Sequence, residues 1–182
     1  VGLFLVDEAN EWAVLRAGTG QAGQKQIEAN HRLKVGGSSM IGWAVVNRQA
    51  RIALDVGQEA VHFQNPYLPD TRSEMALPLI SRDQAIGALT VQSVERSAFS
   101  TEDITALQTM ADQLANAITN ARLYEASRRA TRREALIKEI TAKVRANTDI
   151  TGILQTTITE IGAAVGGQRA YIYLTPPPNN NE

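Results

Sequence analysis

Gly18-Thr-Gly20-Gln-Ala-Gly23 has the letter pattern of a glycine-rich phosphate loop and follows a stretch with strand character. A dinucleotide loop needs a helix opening on its last glycine and an acidic residue about 20 positions on. Here a polar, poorly periodic stretch follows, and the distal region holds Trp43 and Ala44, so the residues favour a flexible loop over nucleotide binding. His31 and His62 are the two histidines. An imidazole can ligate haem iron, but neither lies in a haem motif, and His62, beside Phe63, reads as a surface or pocket-rim side chain. No G-x-S-x-G, H-E-x-x-H or other metal spacing is present. The absence of cysteine removes disulfides, thiolate metal sites, cysteine nucleophiles and thioether-linked cofactors. Arg128, Arg129, Arg132 and Arg133 form a basic run that could meet phosphate. Glu125–Arg129, Glu134–Lys138 and Glu139–Lys143 stand at i,i+4 spacing around it, which favours a solvated helix face. No aromatic interleaving supports single-strand nucleic-acid binding.

The remaining chemistry-bearing residues suit a pocket. Trp43, Phe63, Tyr67 and Met75 have the apolar bulk to line one. Core packing is the better reading for Met75, and both readings stay open for Phe63 and Tyr67, which lie on a long loop. Arg72 and Glu74 could face a ligand, or pair with each other or with the loop. Trp43, His62, Phe63, Tyr67, Arg72 and Glu74 are therefore the candidate ligand-binding residues. No catalytic or metal-ligating set is assigned, and the cofactor is open.

The elements that must position these residues follow from patterning. With 182 residues the chain has room for one domain and part of a second. The formal net charge of -1 gives no global attraction to nucleic acid or membrane. No apolar run approaches the roughly 20 residues that span a bilayer, no signal peptide is visible, and a cytoplasmic location is expected. The chain opens at Val1 inside a strand-like run and reads as a piece of a longer protein. Strands are expected over residues 1–6, 11–17, 31–35 and 51–56. A weak helical turn is expected near Gln24 to Ala29. Ser38 or Ser39 caps a helix to about Asn47. Residues 57–71 form a long loop. Arg72 to Val94 reads as a hairpin, two apolar runs around Ser-Arg-Asp-Gln, with Pro78 demanding a bulge, edge or ladder gap. Ser100-Thr-Glu-Asp103 resembles a capping box and opens a long helix with a stripe from Ile104 to Ala121 and Tyr124. The stripe fails over Ser127 to Arg133 and resumes at Leu136, Ile137, Ile140 and Val144. A further helix runs from Ile150 to Val165, stopped by Gly166-Gly167, and Ala170 to Leu174 reads as a strand. Pro176 to Glu182 is expected to be loose.

Taken together, Gly18-Thr-Gly20, Gly36-Gly37 before the Trp43 helix, Arg51 to Val56, Asn65 to Met75, Ile86 to Ser93 and Asp112 to Tyr124 resemble a GAF domain of bacterial sensor histidine kinases and related signalling proteins. The resemblance implies an α+β, profilin-like or PAS-like fold. An antiparallel β-sheet carries helices on one face, and a small-molecule pocket on the other is roofed by the Trp43 helix and the long loop. A C-terminal helical linker follows. Some GAF domains bind haem. Two GAF activities, free-methionine-sulfoxide reduction and covalent bilin attachment, need the cysteine this chain lacks. The cyclic-nucleotide signature is not completed downstream of Asn47-Arg48.

The expected organisation is a GAF domain over residues 1–125 lacking its own first helix, a helical linker over 126–148, and the first helix and strand of a second GAF domain over 149–182. The 149–165 helix could cover the bare sheet face in cis or swap onto a partner, with turns near Ala126 to Arg133 and near Asn147. Alternatively, one long linker helix forms a parallel dimer. The implied function is sensory: a small molecule, or none, biases the long helix and so an output module, without catalysis. A ligand-free dimerisation scaffold is the alternative. Expected partners are a second copy, through helices 101–125 and 149–165, and an unidentified small molecule. No nucleic acid and no membrane insertion are expected.

Overall fold

The computed structural model describes residues 1–58, 63–166 and 171–173. The chain divides into two compact units, Val1–Ala121 and Arg122–Glu182.

The first unit is built on six strands: β1 (Gly2–Val6), β2 (Trp12–Gly18), β3 (Arg32–Lys34), β4 (Arg51–Ala53), β5 (Ser73–Ser81) and β6 (Gln84–Ser93). Their spatial order is β3-β2-β1-β6-β5-β4, and all neighbours are antiparallel. Two helices interrupt them, α1 (Gly20–Glu28) and α2 (Met40–Asn47), and α3 (Thr101–Arg145) begins after β6. The β5–β6 hairpin forms where the apolar runs predict it. Ser81 pairs with Gln84, and the connecting Arg82 and Asp83 have φ of 51° and 62°. Two successive residues at positive φ give the turn whose twist matches paired strands. A register shift between Leu79 and Ile80 bends the ladder. Pro78 pairs with Ala88 beyond Ala76, where the β4 pairing ends. At that point β5 has a neighbour on one side only, the ladder gap in which a residue without an N–H is tolerated.

Side-chain alternation divides the sheet into two working faces. Met75, Leu77, Leu79 and Leu89 pack with Ala111 and Ala115 of α3, flanked by Leu3, Leu5, Val91, Ile104, Leu107 and Ile118. Met75, Leu77 and Leu79 are fully buried, each worth about 1.5–3 kcal/mol relative to exposure. The opposite face carries Phe4, Ala13, Leu15, Ala76 and Ala88 against Met40, Ile41, Ala44 and Val45 of α2. Ser39 caps α2, its Oγ accepting from Gly42 N at 2.9 Å.

In the helices, α1 differs from expectation and α3 decides between alternatives. α1 is a full helix from Gly20, where only a weak turn was expected over 24–29. It holds few large apolar residues, and its buried positions are Gly23 and Gln26. α3 is continuous from Thr101 to Arg145, so of the two courses the sequence left open, the turn near Ala126 to Arg133 does not form. Loss of the apolar stripe there removes core contacts without breaking the helix. The segment has no Gly or Pro, favours helix by propensity, and carries the ion pairs Glu125–Arg129 (3.2 Å), Glu134–Lys138 (2.7 Å) and Glu139–Lys143 (3.0 Å), each worth a few tenths of a kcal/mol. The capping box forms: Asp103 N donates to Ser100 Oγ at 3.1 Å, and Ser100 N to Asp103 Oδ2 at 2.9 Å.

Within the second unit, the chain turns after Arg145 into α4 (Ile150–Val165). Asn147 Nδ2 donates to Lys143 O and Thr156 Oγ1, and Lys143 Nζ meets Glu160 at 3.0 Å. Asp149 caps α4 through Gly152 N, and Gly166 closes it at φ 66°. The described part of the strand expected over 170–174, Tyr171 to Tyr173, has no strand structure and is exposed. Ala170, Leu174 and the 176–182 end lie outside the described residues. No described helix is long and apolar enough to cross a membrane.

The Gly18 and Gly23 backbones touch. A Cβ on Gly23 would lie 2.5 Å from the Gly18 carbonyl carbon. An alanine normally gains about 1 kcal/mol over glycine inside a helix. Here the obstructing atom is backbone, and overpacking at about 1–3 kcal/mol outweighs that gain. Gly23→Ala is expected to lower the urea midpoint; an unchanged or raised midpoint would show that the α1–β2 approach is not tight.

Candidate ligand pocket

The α2 face of the sheet is not filled. Alternation sends Glu74, Thr90 and Gln92 to this face, opposite Met75, Leu77, Leu89 and Val91. Together with Gly2, Phe4 and Leu15 they floor a cavity of about 130 Å³. Thr19, Gly23 and Gln26 of the α1 segment wall one part, Ser39, Met40 and Ile41 another, and Phe63, Asn65 and Leu68 of the long loop a third. An engineered apolar cavity of about 150 Å³ admits benzene, so this one, at about 130 Å³, suits a small ligand, far short of a dinucleotide.

The polar groups are ordered by the strands that carry them. Glu74 pairs with Gln92 across the ladder, and Ala76 with Thr90. Glu74 Oε1 accepts from Gln92 Nε2 and from Thr90 Oγ1, each at 3.0 Å. Glu74 is 3% exposed, and a carboxylate so buried requires such donors. A second buried pair ties the loop to α1: Asn65 Nδ2 donates to Gln26 Oε1 at 2.8 Å, while Asn65 Oδ1 accepts from Tyr67 N at 3.0 Å. Gln26 Nε2 donates to Ala22 O at 3.1 Å, anchoring that side chain on its own helix.

An aromatic cluster holds the loop from the side. The His31 ring lies 6.0 Å from Phe4, 6.0 Å from Phe63 and 6.2 Å from Tyr67. Among the described residues its Nε2 has no hydrogen-bond partner, and burial lowers its pKa below the ordinary histidine value. No group of three metal-ligating side chains occurs among the described residues.

Of the six candidate binding residues, Phe63 and Glu74 line the cavity. Trp43 does not; its ring lies 4.6 Å from the Arg51 guanidinium and packs on the edge of the α2 core. Tyr67 meets the His31 ring edge to face, outside the lining. Arg72 also lies outside it, its backbone bridging β6 and the Val56 turn by Arg72 N to Ser93 O (2.8 Å) and Val56 N to Arg72 O (2.9 Å). His62 falls outside the described residues. Sequence reasoning missed Gln26, Ser39, Asn65, Thr90 and Gln92. Thr90 and Gln92 had a readable signal: polar residues at period two in a strand whose other positions are apolar.

A family model for the GAF domain matches residues 1–119. The chain belongs to the GAF family. Solved structures agree with that assignment. The GAF domain of a Coxiella burnetii phosphoenolpyruvate-protein phosphotransferase is 28% identical, with TM-score 0.62 over 69% of this chain and 74% of that one. Two others share the fold at 20% identity. The GAF domain of an Acinetobacter phosphoenolpyruvate-protein phosphotransferase has TM-score 0.56 over 69% of this chain and 73% of that one. A type II free methionine-R-sulfoxide reductase from Thermoplasma acidophilum has TM-score 0.51 over 63% and 74%. No curated protein matches the chain. The GAF assignment bears out the six-stranded antiparallel fold. It also gives Gly18-x-Gly20-x-x-Gly23 its place here: α1 lies on an antiparallel sheet, and the first and last glycines permit backbone contact.

His31 makes the stability of this GAF domain depend on pH. Its folded pKa lies below the unfolded value of about 6.5. The unfolded chain therefore binds the proton first as pH falls, and stability is lost from that pH downward until the folded pKa is passed. His31→Gln, which retains His62, should lose less stability than the wild type between about pH 7 and pH 5, the window below the unfolded value. Denaturation midpoints with identical pH dependence for the two proteins would sink this assignment.

Proposed function

We propose that this GAF domain is a non-catalytic sensory module of a signal-transduction protein, binding a small molecule in the cavity and relaying its presence through α3. The observation that carries this reading is the sharing of strands. β5 and β6 present Glu74, Thr90 and Gln92 to the cavity and, at alternate positions, Met75, Leu77, Leu79 and Leu89 to α3. A ligand that shifts the hairpin therefore acts on the packing of Ala111 and Ala115 one sheet thickness away. Close-packed interfaces respond to small shifts by changing between discrete arrangements. A parent protein of the bacterial sensor histidine-kinase type, acting in the cytoplasm, is supported by the sequence resemblance, as are a linker over residues 126–148 and the opening of a second GAF domain over 149–182.

In this reading the chain pairs with a second copy through residues 101–125 and 149–165. Met110, Leu114 and Tyr124 of α3 are exposed, Met110 at 53% and Tyr124 at 65%, and with Ala117 and Ala121 their spacing of four and three suits a helix seam. The same surface favours the second reading, a dimerisation scaffold without a ligand.

A thermal-shift panel of small metabolites separates the two. A ligand at a hundred times its Kd stabilises by about 2.7 kcal/mol, a shift of several degrees for a domain of this size. No shift across the panel favours the scaffold. For the seam, Met110→Glu with Leu114→Glu is expected to yield monomers by light scattering; a dimer surviving both charges would remove α3 as its interface. In the full-length parent, deleting residues 126–144 should uncouple output from ligand.

A further inference from the structure

The hydrogen-bond donors left over at the cavity point to the class of ligand, an inference that rests on the cavity being a ligand pocket. Three side-chain amides line it: Gln26 of α1, Asn65 of the loop and Gln92 of β6. Each amide nitrogen carries two hydrogens, and one of each pair is engaged. Gln26 Nε2 donates to Ala22 O, Asn65 Nδ2 to Gln26 Oε1, and Gln92 Nε2 to Glu74 Oε1. The amide oxygens already accept, from Asn65 Nδ2, from Tyr67 N and, at 3.4 Å, from Thr71 Oγ1. Ser39, buried in the wall, accepts from Gly42 N through an Oγ whose own O–H is not engaged. The first turn of α2 adds further donors. The opening N–H groups of a helix lack intrahelical acceptors. Ser39 takes up that of Gly42 and leaves those of Met40 and Ile41, residues that both line the cavity. Among the described residues, no acceptor meets any of these remaining hydrogens.

We propose that the cavity is a site for a compact ligand with an accepting oxygen, a carbonyl or carboxylate on a small apolar body, whose oxygen lone pairs take up these donors while the body packs against Phe4, Leu15 and Met40. A carbonyl oxygen that holds one bond keeps a spare lone pair at little cost. A buried N–H without an acceptor loses the bond it makes in water. An occupant displaces water from these donors, and one that cannot accept in its place loses affinity. The site therefore discriminates by the direction of the hydrogen bond. A donor-only molecule of the same size leaves the amides, the Ser39 hydroxyl and the α2 turn unmet.

The test uses three probes of nearly equal size: cyclopentanone, cyclopropanecarboxylate and pyrrole. The first two only accept, whereas pyrrole donates through its N–H and has no in-plane lone pair. Each is titrated into the full chain at neutral pH and matched ionic strength. Binding is read from the side-chain amide NMR signals of Gln26, Asn65 and Gln92, all of which line the cavity. The tighter of the two acceptors should bind at least about fivefold more tightly than pyrrole, and the order of the two tells a carbonyl ligand from a carboxylate. Gln26→Glu keeps an oxygen for Asn65 Nδ2 and removes the Nε2 hydrogens. It should reduce the preference for that acceptor over pyrrole by at least about twofold, read from Asn65 and Gln92. Pyrrole binding as well as both acceptors, or a preference that Gln26→Glu leaves unchanged, overturns the acceptor assignment but leaves the pocket standing, because the amides still report occupancy. Should the variant fail to fold, the three wild-type titrations decide alone. If no probe moves the three amides and the metabolite panel gives no thermal shift, the pocket reading itself fails, and this inference with it.

Discussion

The nine paired positions between β5 and β6 are the constraint on which the first unit depends. In a strand, successive side chains point to opposite faces, so a slip of one residue would exchange every inward and outward group. Here neither face is solvent. One slip would drive Glu74, Thr90 and Gln92 into the α3 interface and turn Met75, Leu77 and Leu89 toward the cavity. The apolar set on one face therefore holds the polar set on the other. The turn at Arg82 and Asp83 and the shift at Leu79/Ile80 set the register from one end. At the other end Ser73 Oγ donates to Glu95 O at 2.7 Å.

The cavity's roof rests on different physics. Strand pairing contributes nothing to the loop after β4, so its position depends on a few specific contacts. The Gln26–Asn65 hydrogen bond joins segments 39 residues apart in a buried place. Breaking one partner of such a bond leaves a buried amide unsatisfied, which costs more than the bond's net worth. The ring cluster around His31 adds area, and the His31 backbone ties the turn after α1 to β2, Leu15 N donating to His31 O at 3.0 Å. The helix, the loop and the sheet therefore meet at two small constellations, one of amides and one of rings, and both lie within reach of whatever occupies the cavity.

Much of this was legible in the chain because local rules carried it. The hairpin, the α2 cap at Ser39, the Ser100–Asp103 box and the Asp149 start of α4 depend on residues within a few positions of one another. The three helical ion pairs were likewise visible as spacings. Whether α3 turned near Ala126 to Arg133 or ran on as one helix stayed open in the sequence, because an apolar stripe measures what a helix packs against, not whether it is helical. α1 was under-read because its buried side is a glycine and a glutamine, which no hydrophobic pattern reports.

What the sequence determined by itself was the two-faced hairpin, the helices with their caps, the absence of cysteine chemistry and the placing of Glu74 in a strand beside an apolar neighbour. What only the tertiary structure decided was which polar residues share the cavity. Gln26, Asn65, Glu74, Thr90 and Gln92 come from a helix, a loop and two strands, and no local spacing relates them. Tyr67 and Arg72 stand as near in sequence to that set as Phe63 does, yet they are engaged with His31 and the backbone near Ser93. A strand's alternation says that a residue faces inward; only the packing of α1, α2 and the loop over the sheet says what it faces.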